Sequence, residues 1–408
     1  TNGDWVTHSI PNGSATGGQL TIPMQNYACP MLACHASQPR CIDISASNGL
    51  NAALDAPEVS PTGLDVSLDA SSPAGGANII IDTNNFSAGT GTTRITLADG
   101  SSLDVPAIVV EQPATMMTPQ GPDILVLKTR TFTVRPSTFV EVRGTRALGI
   151  VANFDIFIGG TIDASANEYT SGAGASLVST CAGTQNATAS GGGGNWDPGG
   201  ASTSGAAGGA ILSAGFVVPL QGGCRGGMIV VSAGNTWVGG SPGGAIQFVS
   251  RRRTAISPTG LLNVNGGGGF AGVDSSVFQG RASGGGSGGG ILIESPSVTI
   301  DPGGVFSGRG GSGSAASFGG NVAHGTEYNP VTGAGAASVS CTSCGTSGAG
   351  GTESAQPGNA TGSSSARAGG GGSVGRTVFR NQNGVVSIPG GALRIRHQLL
   401  TLPTRSPP

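Results

Sequence analysis

Apolar residues in this chain come in short runs, each set off by glycine or proline. Leu64-Asp65-Val66-Ser67-Leu68, Asn78-Ile79-Ile80-Ile81, Thr93-Arg94-Ile95-Thr96-Leu97 and Ile124-Leu125-Val126-Leu127 follow one another as strand-like segments. Asp99-Gly100 stands between two of them, where a hairpin turn is favoured. Further on, Phe154, Ile156 and Ile158 share one face of a run that turns at Gly159-Gly160, as a half-buried strand requires. Comparable corners return at Thr254 to Val264 and at Val298 to Phe306, where a strand ends in Gly or Pro-Gly and a second one leaves. The pattern predicts strands nearly everywhere.

One phrase recurs through the second half. Gly208-Gly209-Ala210-Ile211-Leu212-Ser213, Gly226-Gly227-Met228-Ile229-Val230-Val231-Ser232, Gly243-Gly244-Ala245-Ile246-Gln247-Phe248-Val249-Ser250 and Gly289-Gly290-Ile291-Leu292-Ile293-Glu294-Ser295 each join a close backbone approach to a buried strand. Repetition of such a unit points to stacked rungs, because one unit cannot bury its apolar face alone. The expected fold is therefore all-β: a parallel β-helix or β-solenoid body with long glycine-rich loops, preceded by a small β unit and a cysteine-containing arm. The expected divisions are an arm or cap at 1–45, a small β unit or first coils at 46–135, the solenoid at 136–390, and a terminal strand and tail at 391–408. Insertions at about 166–206, 265–288 and 307–373 are expected to leave the stack as irregular loops.

Composition sharpens this picture. The chain holds 76 glycines in 408 residues, and only 10% of residues are charged. Glycine disfavours helix by about 1 kcal/mol relative to alanine, so long helices are not expected. Glycine tracts alone would suggest flexible coil, but the 37% apolar content lies in strand-like runs, which favours close packing. The net charge of −2 gives no nucleic-acid footprint, and Arg251-Arg252-Arg253 reads as a solvated edge. No apolar run is long enough for a transmembrane helix. A chain starting at Thr1 without a basic-apolar leader fits a processed, exported protein.

Seven cysteines in a Ser/Thr-rich, weakly charged chain suit an oxidising compartment. Cys181 with Cys224 is the expected long bridge and Cys341 with Cys344 a short clip. Cys29, Cys34 and Cys41 remain as a first cluster, leaving one cysteine free, differently paired or intermolecular. Cys29 to His35 also has an expanded form of the haem-attachment spacing, with His35 and one of His8, His324 or His397 as axial ligands; a disulfide knot with Cys41 is the preferred reading.

The series Val142-x-Gly144-x-Arg146-Ala147-Leu148, then Ile156-x-Ile158-x-Gly160-Thr161-Ile162-Asp163-Ala164-Ser165, the repeated Gly-Gly-x-Ile phrases and the closing Gly375-Arg376-Thr377-Val378 resembles glycine-rich exported β-solenoid proteins of myxobacteria and their relatives. The resemblance spans about residues 138–380. It implies a right-handed parallel β-helix-like body and an extracellular or cell-surface location, and it carries no reaction.

Chemistry is sparse. A hydrolase on such a scaffold needs carboxylates on neighbouring rungs, but Asp155, Asp163, Asp197, Asp274, Glu294 and Asp301 are scattered in sequence. A lyase needs a base, and Lys128 lies alone outside the repeats. Trp196, Trp237 and Tyr328 are the aromatic candidates for stacking on sugar, with packing inside the fold as the preferred reading. The expectation is a secreted structural protein without catalytic, cofactor or metal residues. It would self-assemble as a homo-oligomer or polymer into an extracellular filament or surface layer. The alternative is a carbohydrate-binding adhesin or polysaccharide lyase.

Overall fold

A computed structural model of the chain describes residues 5–9, 19–23, 43–69, 78–112, 120–167, 170–176, 178–212, 218–230, 236–274, 279–328, 336–362, 366–382, 384–402 and 404–405. The molecule is nearly all β, and its one α-helix among those residues is the single turn Asn51–Leu54. A 14-stranded sheet, curled into a nearly closed barrel-like form, lies with a five-stranded sheet around one apolar core.

Three parallel ladders make up these sheets. The first stacks Ile124–Thr129, Ala147–Ala152, Ala245–Ser250, Gly290–Glu294, Arg376–Asn381 and Arg396–Thr401. The second stacks Asp65–Leu68, Thr131–Val134, Asp155–Ile158, Arg253–Ile256 and Ser297–Ile300. The third stacks Ile79–Ser87, Phe139–Arg143, Thr161–Asp163, Leu261–Asn263, Val305–Ser307 and Leu393–Arg394. In sequence the chain visits the three in rotation. Register then aligns like with like: Leu127, Ile150, Phe248, Ile293 and Phe379 form one inward column. At one end the antiparallel strands Thr92–Thr96 and Ser102–Val110 join the third ladder to the first, with Gly100 at φ +81° in the Asp99-Gly100 turn.

The first ladder is buried on both sides. Its outer surface carries Ile124, Val126, Ala147 and Val151, covered by Leu50, Ala53, Leu54 and Val59. Glu294, fully buried there, fixes this cover: it pairs with Arg380 at 3.1 Å and accepts bonds from Ser47 N–H (2.9 Å), Ser47 Oγ (2.6 Å) and Gln247 Nε2 (2.7 Å). Lys128 also belongs to this ladder, beside Val151, and pairs with Glu58 at 3.0 Å. Its position inside the repeats corrects the expectation that it lies outside them.

Only two of the four Gly-Gly phrases feed ladder strands, those beginning at Gly243 and Gly289. The phrase at Gly226 leads to a two-residue antiparallel pairing, and Gly208-Gly209 forms no strand. The insertions are not irregular either. Donors recur every third residue: Ser283, Gly286 and Gly289 donate to Phe270, Gly267 and Val264, while Gly369, Gly372 and Gly375 donate to Ser314, Gly311 and Gly308. Between these positions the donors turn to other tracts, as when Gly285 and Gly288 bond Gly370 and Ser373. Three residues per turn is the repeat of the polyproline II helix, and here each such helix satisfies its backbone through its neighbours. The expected surface loops are thus a second hydrogen-bonded body.

Side-chain-free packing demands glycine. A Cβ on Gly372 would run into the carbonyl oxygen of Gly286, and one on Gly286 into that of Ser241. The Cys181–Cys224 disulfide lies inside this bundle as expected, and Cys341–Cys344 closes a short loop at its edge. Arg376 ties bundle to ladder, donating to the backbone oxygens of Asn195 (3.1 Å) and Leu212 (2.6 Å) and to Asn195 Oδ1 (2.9 Å from Nε). Burial brings its pKa down to about 10.

Candidate functional site

On the outside of the third ladder, alternate residues of each strand point away from the core. Phe139, Glu141 and Arg143 do so between the buried Val140 and Val142, and Thr161 and Asp163 do so around Ile162. Parallel register places Phe139 beside Thr161, Glu141 beside Asp163, and Asp163 beside Asn263. The result is a polar row crossing the strands.

The glycine bundle overhangs this row and leaves a cleft of about 700 Å³, with Asn78, Phe139, Glu141, Arg143, Asp163 and Glu327 among its walls. A second recess of about 410 Å³ shares Asn167 and Glu327 with it and continues past Phe270 and His324. There the imidazole stacks on Phe270 with ring centroids 4.5 Å apart, and its Nδ1 accepts the Ala271 N–H at 3.2 Å. Phe139 remains 36% exposed, so an aromatic ring is offered at the cleft wall.

The two adjacent carboxyl groups sit in opposed environments. Arg143 grips Glu141, with Nη2 2.7 Å from Oε2, and Asn78 Nδ2 lies at 3.5 Å; these bonds, the guanidinium first, hold Glu141 below the usual carboxylate range. Asp163 has no cationic partner of that kind among the described residues: it accepts the Ser165 N–H at 2.8 Å and Asn263 Nδ2 at 3.1 Å. Burial raises its pKa, the Glu141 charge adds to the rise, and the Ser165 and Asn263 bonds oppose it. One group favours the anion and its neighbour the acid, the division that separates acid from base in carboxyl pairs.

Of the scattered carboxylates, only Asp163 reaches this cleft. Asp155 is engaged by Arg252 and Arg253, Asp274 by Arg281, and Glu294 by Arg380. The Asp197 carboxylate lies 3.9 Å from Arg396, and its backbone N–H donates to Ser373 Oγ at 3.0 Å. Asp301 lies in the turn before Val305. Arg251 pairs with Asp55, so each arginine of the cluster has a carboxylate partner, with Asp155 serving two of them. Trp237 packs on Gly272, and Tyr328 is buried with Arg309 over its ring and Arg394 Nη1 on its hydroxyl. Trp196 is half-buried, its N–H bonded to Val374 O.

Glu141 and Glu327 escaped the sequence reading. A signal existed for Glu141: Val140-Glu141-Val142 and Ile162-Asp163-Ala164 both set an acid between two inward residues. Only the register, which spans a turn and two other strands, makes them neighbours. Cys29, Cys34, Cys41 and His35, the cysteine knot or haem candidates, lie outside the described residues. Among the described residues no three His, Cys, Asp or Glu side chains gather as metal ligands, and no helix is long and apolar enough to cross a membrane. Comparison of the chain with protein-family models, curated proteins and solved structures found no match to any of them.

Proposed function

We propose that the chain is an exported structural protein whose three ladders are the coils of a parallel β-solenoid, and that copies assemble into an extracellular filament or surface layer. The observation that carries this reading is the state of one end. Ser297–Ile300, Leu393–Arg394 and Arg396–Thr401 are each the last strand of their sheet. The inward column ends there on Leu399, 36% exposed, with Val385 70% exposed nearby. Strand edges with apolar ends pair with further strands unless blocked. The opposite end is folded over by the Thr92–Thr96 and Ser102–Val110 strands, so growth beyond a pair calls on terminal segments. Two disulfides and the resemblance to exported glycine-rich solenoids support a location outside the cytoplasm.

Electron microscopy and sedimentation of the intact chain test the assembly. Filaments or sheets are expected, and Leu399→Lys is expected to shift them to single copies without altering the melting temperature. Monomers alone under native conditions would remove the proposal.

A second reading, a carbohydrate-binding surface protein, is favoured by the cleft under the bundle. Its carboxylates disfavour a uronate, which weakens the lyase version. A glycan array, with an ultraviolet assay for unsaturated products, separates binding from elimination.

A further inference from the structure

We propose that the cleft is a glycoside-hydrolysis site for a neutral polysaccharide, with Asp163 as acid and Glu141 as nucleophile. This deepens the carbohydrate reading and rests on it; it is independent of assembly.

The cleft and its aromatic wall suit a chain of sugars. A volume of about 700 Å³, continued by a further recess, accommodates several sugar rings in line. Phe139 offers an exposed face along the same strand as Glu141, and the His324–Phe270 stack lies along the extension. Rings of this kind pack on the apolar faces of pyranoses, and Asn78 and Asn167 supply hydrogen bonds to hydroxyls. The charge is selective. Glu141 and Glu327 outnumber Arg143 in the cleft wall, so a uronate polymer would be repelled and an uncharged one admitted.

Chemistry follows from the register. Glu141 and Asp163 are partners on adjacent parallel strands, with Cα atoms about one strand spacing apart, ~4.8 Å. Paired positions project their side chains from the same face, so the two carboxyl groups stand side by side, the arrangement that the short ~5–5.5 Å carboxyl separation of retaining glycosidases calls for, in contrast to the ~6.5–9.5 Å of inverting ones. Arg143 orients Glu141 and favours its anion, while burial raises the pKa of Asp163 and so shifts it toward the acid form. In the first step a Glu141 oxygen bonds to the anomeric carbon, the glycosidic C–O bond breaks, and Asp163 gives its proton to the departing oxygen. In the second, Asp163 takes a proton from water, the water oxygen bonds to the anomeric carbon, and the ester to Glu141 breaks. Water is the sole co-reactant, and both carboxyl groups return to their starting forms.

The test incubates the intact chain with hexasaccharides of glucose, xylose and N-acetylglucosamine, and with oligogalacturonate for comparison. The expected result is cleavage of a neutral oligosaccharide with retention, read by proton NMR of the fresh product. Asp163→Asn and Glu141→Gln should each slow it by about 100-fold or more while melting cooperatively. Azide should rescue Glu141→Ala as a glycosyl azide, a signature that a structural role would not produce. Cleavage unaffected by these substitutions overturns the assignment. Calorimetric binding of a hexasaccharide without any cleavage also overturns it and leaves the carbohydrate-binding reading standing; absence of both removes the two together.

Discussion

Gly372 and Gly89 have the same side chain and opposite roles. A methyl group at Gly372 meets the Gly286 carbonyl oxygen, whereas one at Gly89 meets nothing. Gly372→Ala is therefore expected to destabilise the protein by about 3 kcal/mol, the upper part of the overpacking range, since backbone cannot step aside as a side chain would. Gly89→Ala should be neutral or slightly stabilising, because it only narrows the unfolded ensemble. Denaturant titration of both variants checks the pair. Asp163 supplies a second contrast at this scale. Its folded pKa is raised, so its stabilising contribution is complete below the unfolded value of about 3.9 and is lost as pH rises through the folded one. Asp163→Asn, neutral throughout, should melt higher than the parent at pH 7, with the gap closing as pH falls to about 3. Glu141, Arg143 and Asn263 face this group from the two neighbouring strands, so the melts need low ionic-strength and higher-salt series to separate burial from charge.

The strand and the glycine helix obey different rules for backbone bonding. Ladder strands were readable because apolar residues alternate or run together, and each face of the first ladder meets a core. The glycine helices were readable as close-packed, but not as regular, because a three-residue repeat of donors leaves no trace in a run of identical residues. Two of the attachments within the fold can be cut separately. Glu294→Gln should release the cover over the first ladder by stranding the Arg380 charge, at a cost of about 3–5 kcal/mol. Limited proteolysis should then cut within residues 45–60 before the ladders. Replacing both Cys181 and Cys224 by alanine removes a link across a separation of 43 residues, worth about 4 kcal/mol of chain entropy. Thermal melts with and without reductant should show the same loss in the parent.

At the scale of the whole molecule, asymmetry between the two ends governs what copies can do. At one end antiparallel strands join the first and third ladders and leave Asp65–Leu68 as the only last strand among the described residues, while the other end presents the last strand of all three. Sequence by itself determined the all-β class, many of the ladder-strand positions, the two described disulfides and the need for glycine in the tracts. These follow from local chemistry: period, turn residues, cysteine grouping and the absence of side chains. Tertiary structure alone decided that the tracts bond as three-residue helices, that Lys128 and Glu294 lie under a cover, and that Glu141 stands beside Asp163. Those outcomes depend on register between strands distant in sequence, and register is set by the shared burial of columns such as Leu127 to Phe379, which no single segment contains.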